Sequence, residues 1–160
     1  MKKAIYISPI GNVVIEMEGQ SLTGLYFSDE IDLPPSKTSD KNLCKIVGWL
    51  DEYFAGRNPK INFEIAAKGS PFQLLVWSAL QKIGYGQTIS YGALAKMLES
   101  SVGNKVSPRA VGRAVGGNKI AIVIPCHRVV GANGKLTGYA WGLERKEKLL
   151  KLEKTFSRSI

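Results

Sequence analysis

The hydrophobic pattern of this chain changes period once, and that change limits what it can fold into. In the first 27 residues three apolar runs are spaced as strands: Ala4-Ile5-Tyr6-Ile7, Val13-Val14-Ile15-Glu16-Met17 and Leu22-Thr23-Gly24-Leu25-Tyr26-Phe27. Turn formers separate them at Pro9-Ile10-Gly11-Asn12 and Glu18-Gly19-Gln20-Ser21, which predicts an antiparallel three-stranded meander. From Ser70 onward apolar residues recur every three or four positions, the spacing of helices. Two of those helices open on Ser-Pro, an N-cap followed by a first-turn proline. The pattern predicts an α/β fold: a small N-terminal α/β domain with an antiparallel sheet over 1–65, and a mostly helical C-terminal domain over 66–160.

The expected elements follow in order. The polar, proline-bearing stretch Leu33–Lys41 reads as a loop. A helix comes next, with Leu43, Ile46, Val47, Leu50 and Phe54 on one stripe and Gly56 as its stop. Residues 57–69 read as a linker, with a short strand at Ile61–Ile65. After Ser70-Pro71 a helix buries Phe72, Leu75, Val76, Ala79, Leu80 and Ile83 and ends at Gly84-Tyr85-Gly86. Ser90 caps a helix from Tyr91 to about Glu99, with Leu94, Ala95 and Leu98 inward. A polar loop, Ser100–Val106, leads to Ser107-Pro108 and the helix Arg109–Gly116. An Asn-Gly turn is expected at Asn133-Gly134 and a glycine-hinged aromatic loop at Leu136–Gly142. The last helix runs from Leu143 to Lys154, with Leu143, Leu149, Leu150 and, past its end, Phe156 as its apolar positions.

The net charge of +9 is unevenly distributed. Residues 1–65 carry 7 Lys/Arg against 9 Asp/Glu, and residues 66–160 carry 15 against 4. A basic second half points to a polyanionic partner such as nucleic acid; a lysine-rich solvated surface, as in heat-stable proteins, is the alternative. Two short helices with a turn between them in that half fit a helix-turn-helix. The helix Arg109–Gly116 holds Arg, Ala, Gly and Val, with no Asn or Gln to read base edges. Either it packs closely on another helix, or it approaches a groove without base-specific readout, with Arg109 reaching between bases.

The other marked feature is Ile124-Pro125-Cys126-His127-Arg128-Val129, which joins the only histidine to one of two cysteines. A reactive thiol must become a thiolate, and imidazole is the usual means near neutral pH. The apolar run Ala121–Ile124 reads as a strand delivering the pair to Pro125. Neighbours on a strand face opposite ways, so the chain must turn after Pro125 or a water must bridge thiol and imidazole. Glu153 falls between Leu149 and Leu150 on the inner face of the last helix and needs a partner. That partner is His127, making it a better base, or Lys146 in a plain surface pair. Cys44 reads as an inert core thiol on an apolar helical face. With so few Cys and His a structural zinc site is not expected, nor is a disulfide in a chain read as cytoplasmic. No signal peptide or membrane span is expected.

Together Ile-Pro-Cys-His-Arg-Val, Ser-Pro-Arg-Ala-Val-Gly, Asn118, Gly-Tyr-Ala-Trp-Gly-Leu-Glu-Arg-Lys and Ser-Pro-Phe-Gln…Val-Trp resemble the O6-alkylguanine-DNA alkyltransferase family over residues 70–156. The first 65 residues match only in general plan. The resemblance implies a winged helix-turn-helix C-terminal domain carrying the active site, and a partner in double-stranded DNA containing O6-alkylguanine. It implies direct repair: minor-groove binding, flipping of the damaged base, and single-turnover transfer of the alkyl group from O6-alkylguanine, with O4-alkylthymine as a secondary substrate. By resemblance Cys126 is the alkyl acceptor, His127 its base through a water, and Glu153 the group orienting His127. Tyr91 assists rotation and donates toward the leaving guanine, and Asn118 is a hinge. Arg109 fills the space of the flipped base, with Ser107, Ala110 and Ala114 beside it on the DNA. Backbone near Cys126 and Val129 holds the base's amine, Tyr139 and Ala140 line the pocket, and Trp141, where many relatives have a small residue, narrows its mouth. No cofactor, no metal and no obligate protein partner are implied, and the protein is expected to be monomeric. The loop at 100–106 departs from some relatives in its length, and the zinc ligands that some carry in the first domain are missing. A DNA-binding module without chemistry and a cysteine hydrolase that turns over are the competing classes.

Overall fold

The computed structural model describes residues 2–30 and 40–157. β1 (Lys2–Ser8), β2 (Gly11–Glu18) and β3 (Ser21–Phe27) form the expected antiparallel meander, with Ala4 opposite Ile15 and Ile15 opposite Leu25. The connections turn at Gly11 (φ 128°) and Gly19 (φ 59°), backbone angles that glycine adopts without a Cβ penalty. A fourth strand, β4 (Glu64–Ile65), adds to β3 in parallel, Leu22 opposite Ile65, so the sheet is mixed, with order β1-β2-β3-β4. The strand expected over 61–65 is thus only its last two residues. Most of the loop expected at 33–41 lies outside the described residues.

Asp40 caps α1 (Lys41–Phe54) by accepting from the amides of Asn42 and Leu43. Its buried face is Leu43, Ile46, Trp49, Leu50 and Tyr53. Val47 and Phe54, expected inward, are only half-buried, and Cys44 is exposed rather than in the core. The helix rotates this way because its two large aromatics find partners for their polar tips, Trp49 Nε1 at the Pro59 carbonyl and Tyr53 Oη at Glu153.

α2 (Pro71–Leu80) opens on a full capping box between Ser70 and Gln73 and buries Val76, Trp77, Ala79 and Leu80. It ends three residues before the expected Ile83, and Phe72 and Leu75 are half-buried. β5 (Ile89–Ser90) leads into α3 (Tyr91–Val102), which Ser90 caps, with Leu94, Ala95 and Leu98 inward as expected. α3 runs to a left-handed Gly103 (φ 80°), so the connection to α4 (Pro108–Gly116) is shorter than the polar loop predicted from Ser100. Ser107 caps α4 through the Ala110 amide, and α4 packs on α2 and α3. β6 (Val129–Val130) pairs in parallel with β5. A short 3-10 turn at Ala132–Gly134 holds the Asn-Gly reversal, with Asn133 (φ 61°) and Gly134 (φ 76°) both left-handed. α5 (Leu143–Ser157) extends past the expected Lys154 and takes in Phe156; Leu143 is exposed.

Both halves contribute to one hydrophobic cluster, from Val13, Ile15 and Leu25 of the sheet to Val111, Ile120, Ile124 and Leu149 of the helical half. The chain after α4 runs directly along β3: Ile120 forms a parallel bridge with Leu25. This places the segment 118–130 between the sheet and the helices.

Candidate active site

The segment 120–128 is a succession of tight turns and not the strand expected at Ala121–Ile124. The Val123 amide donates to the Ala121 carbonyl (2.7 Å) around Ile122, whose φ of 68° is left-handed. A β-branched residue there costs of order 1–3 kcal/mol and persists only where its surroundings enforce it. Asn118 does so: its Nδ2 donates to the carbonyls of Ile120 (3.1 Å) and Ile124 (3.0 Å), and its Oδ1 accepts from the Ile120 amide (3.0 Å). Pro125 then adopts φ −81° and ψ 65°, an inverse γ-turn closed by the Cys126 amide on the Ile124 carbonyl at 2.8 Å. Cys126–Arg128 continues as one 3-10 turn. The chain therefore does turn immediately after Pro125.

Cys126, though nearly fully buried, lines a cleft of about 150 Å³ walled by Tyr91, Gly112, Val115, Gly116, Gly138, Tyr139 and Ala140. Burial pushes its thiol up to about 11, against the Asn118 side chain and the Lys146 ammonium, which favour the thiolate. His127 is wholly buried, and its Nε2 lies 2.5 Å from Glu153 Oε2. Because a carboxylate only accepts, the imidazole proton is on Nε2. Nδ1, buried and without a hydrogen-bond partner among the described residues, then carries the lone pair. Burial holds His127 below its ordinary pKa, partly countered by Glu153.

Glu153 is the hub. Its Oε2 also accepts from Tyr53 Oη (2.6 Å) and Arg128 Nη2 (3.2 Å), and its Oε1 from Arg128 Nε (2.8 Å) and the Gly86 amide (3.1 Å). Burial alone would raise this carboxyl; His127 and the Arg128 guanidinium outweigh it and hold it well below the carboxylate range. The alternative partner, Lys146, is elsewhere: buried on the same helix, it donates to the carbonyls of Thr137 (2.9 Å) and Gly138 (3.0 Å) and pins the loop that forms one wall of the cleft. Tyr53, Arg128 and Lys146 are site residues whose roles the sequence reading missed. Arg128 had a signal, since a buried carboxylate calls for a cation as well as an imidazole. Tyr53, 100 residues from Glu153, had none.

Other expected site residues divide. Arg109 is exposed and Ala110 half-buried on the outer side of α4; Arg109 lies three and seven residues before Gly112 and Gly116, hence on the helical face that lines the cleft. Ser107 is exposed and engaged as the cap. Packing does not demand the α4 glycines. Among the described residues a Cβ at Gly116 would meet nothing within 4 Å, and one at Gly112 would only touch Tyr91 at 3.8 Å. Three other expected residues pack inward. Ala114 is buried against α2, with Trp77 Nε1 donating to its carbonyl at 2.8 Å. Val129 is fully buried in β6, and the part expected of it belongs to its backbone. Trp141 packs edge-on against Tyr139 (5.3 Å), a wall of the cleft, and against Phe27 (6.4 Å), bridging the loop to the sheet. Among the described residues no group of three or more His, Cys, Asp or Glu could hold a metal ion, and no helix is long and apolar enough to cross a membrane.

Comparison with known proteins gives the same answer for both halves. Residues 1–67 match the family described as 6-O-methylguanine DNA methyltransferase, ribonuclease-like domain, and residues 71–155 the corresponding DNA binding domain. A Methylated-DNA--protein-cysteine methyltransferase of Methanosarcina acetivorans is 43% identical over 157 residues, 96% of this chain and 98% of that protein. One of Mycolicibacterium paratuberculosis is 45% identical over 154 residues, 94% and 90%. The crystal structure of Mycobacterium tuberculosis OGT in complex with DNA superposes with a TM-score of 0.81 at 40% identity, covering 96% of this chain and 93% of that one.

Proposed function

Because the chain belongs to the 6-O-methylguanine DNA methyltransferase family, we propose that Cys126 is the residue that accepts the alkyl group in its repair chemistry. The chain is a methylated-DNA–protein-cysteine methyltransferase that acts in DNA repair. The observation that carries the residue assignment is the line from Glu153 through His127 to a buried Nδ1 with no partner among the described residues, next in sequence to a thiol that opens on a cleft.

The steps follow from the groups present. Glu153, kept ionised by Arg128, fixes the His127 proton on Nε2 and leaves Nδ1 as the base. The Cys126 proton passes to Nδ1 through a bridging water, giving a thiolate and an imidazolium that Glu153 stabilises. The thiolate attacks the alkyl carbon as the bond from that carbon to O6 breaks. The bonding pair goes to guanine, which takes a proton from the Tyr91 hydroxyl at the cleft wall. The product is a thioether with no carbonyl for water to attack, so each chain reacts once. No cofactor enters the balance.

DNA is met by α4. Its exposed Arg109 stands beyond the cleft on the same helical face, placed to enter the stack when the O6-alkylguanine rotates out. Unstacking costs a few kcal/mol, offset by the inserted side chain and by contacts with Tyr139 and Ala140. Tyr91 assists the rotation, and Asn118 links α4 to the reactive turn. The same reading takes residues 1–65 and 66–160 as separate domains and the protein as a cytoplasmic monomer. Cys126→Ala tests it. The variant should bind duplex DNA with unchanged affinity and transfer nothing; clearance of methylguanine at the wild-type rate would remove Cys126 from its role.

A further inference from the structure

The sheet of the N-terminal half holds a carboxylate that the chemistry above does not use. Glu16 in β2 is 3% exposed. Its Oε1 accepts from Tyr26 Oη (2.6 Å) and lies 3.4 Å from Lys3 Nζ, and its Oε2 makes the closer ion pair, 2.8 Å from Lys119 Nζ. Several local features make room for this arrangement. β2 shifts register between Glu16 and Met17, and the cross-strand neighbour of Glu16 is Gly24. A Cβ at Gly24 would sit 2.8 Å from Glu16 Oε2, so only glycine lets the carboxylate lie across β3. Lys119 in turn rests over the Tyr26 ring, 5.6 Å from its centroid.

Lys119 follows Asn118, whose side chain holds the turn leading to Cys126. Its backbone is also tied to the sheet: the Leu25 amide donates to the Lys119 carbonyl (2.9 Å) and the Ala121 amide to the Leu25 carbonyl (2.7 Å). Residues 119–121 therefore continue the edge that β4 begins at Ser21–Leu22, with Ile120 bridged to Leu25. We infer that Glu16 and Lys119 clamp this added strand segment, so that the N-terminal sheet positions the Asn118 turn and, through it, Cys126. The pair is positioning machinery and touches no substrate. The inference rests on the reading of Cys126 as alkyl acceptor for its effect on rate, though not for its effect on the backbone.

A double-mutant cycle tests it, with the full-length protein and a duplex bearing one O6-methylguanine. Glu16→Gln and Lys119→Gln should each slow transfer at saturating DNA by about fivefold, and the double variant by about the same factor, because the pair acts as a unit. The DNA dissociation constant should stay within about twofold in all three, and Lys119→Arg, which keeps the ion pair, should restore the rate. Amide exchange at Leu25 and Ala121 should speed by about tenfold in both Gln variants. Unchanged exchange overturns the clamp whether or not the chain transfers an alkyl group. Accelerated exchange with wild-type rates overturns its link to Cys126, as do multiplying effects or a rate loss matched by lost DNA affinity. If the wild type itself transfers nothing, the functional reading fails and the exchange data still decide the clamp.

Discussion

Glu153 on the last helix and His127 on the reactive turn face each other in the interior, Oε2 to Nε2 at 2.5 Å, with both side chains almost fully excluded from solvent. The pairing directs the free imidazole lone pair away from the helix, while burial, working against the pull of Glu153, keeps the resting histidine neutral at neutral pH.

Removing that base should be costly to chemistry and mild for binding. His127→Ala should lower the single-turnover rate between about 100- and 10,000-fold at saturating lesion DNA, the range for a positioned general base. Quenched-flow measurement of methylated protein checks it, with affinity for undamaged duplex expected to hold.

Glu153→Gln should destabilise the protein by about 3–5 kcal/mol, because it leaves the Arg128 guanidinium buried without its counter-charge. The pH dependence has a definite sign. Glu153 titrates below its ordinary value of 4.5, so its contribution is complete above that pH and is lost as pH falls below it. Urea unfolding at pH 7 and in the acid range should show a steep acid loss in the wild type and a shallower one in the variant.

The thiol predicts a second pH dependence. With Cys126 raised from 9.0 to about 11, modification of the free protein by iodoacetamide should keep accelerating up to about pH 11, read on the Cys126 peptide. The folded thiol holds its proton longer than the unfolded one. Its contribution to stability is therefore present below pH 9.0 and lost as pH rises from there to about 11.

Arg109→Ala should weaken duplex binding and slow transfer from duplex DNA, yet leave transfer from the free base O6-methylguanine within about twofold, since a free base needs no flipping. Arg113→Ala, on the exposed side of the same helix, should reduce the slope of log affinity against log salt by about one, the effect of losing one phosphate contact. Titrations at several salt concentrations separate the two.

Much of this was legible because it is local. The Ser70, Ser90 and Ser107 caps announce their helices, the Asn-Gly turn announces itself, and the spacing of Leu149, Leu150 and Glu153 turns the carboxylate inward. What escaped depends on tertiary partners. Ala121–Ile124 has the composition of a strand, but Asn118 bonds that lie outside any pattern of period two bend it into turns. Trp49 and Tyr53 displaced Val47 and Phe54 from the face of α1 because remote acceptors satisfied their polar tips. Cys44 came to the surface with that rotation. The packing of Trp77 on Ala114 and of Phe27 on Trp141 is likewise tertiary and leaves no local signal.

The most direct measurement is peptide mass spectrometry after incubation with an excess of duplex carrying O6-methylguanine. The account predicts one added methyl per chain, confined to the peptide containing Cys126, with the reaction stopping at one equivalent. An unmodified Cys126 alongside DNA binding, or continued turnover beyond one equivalent, would contradict it.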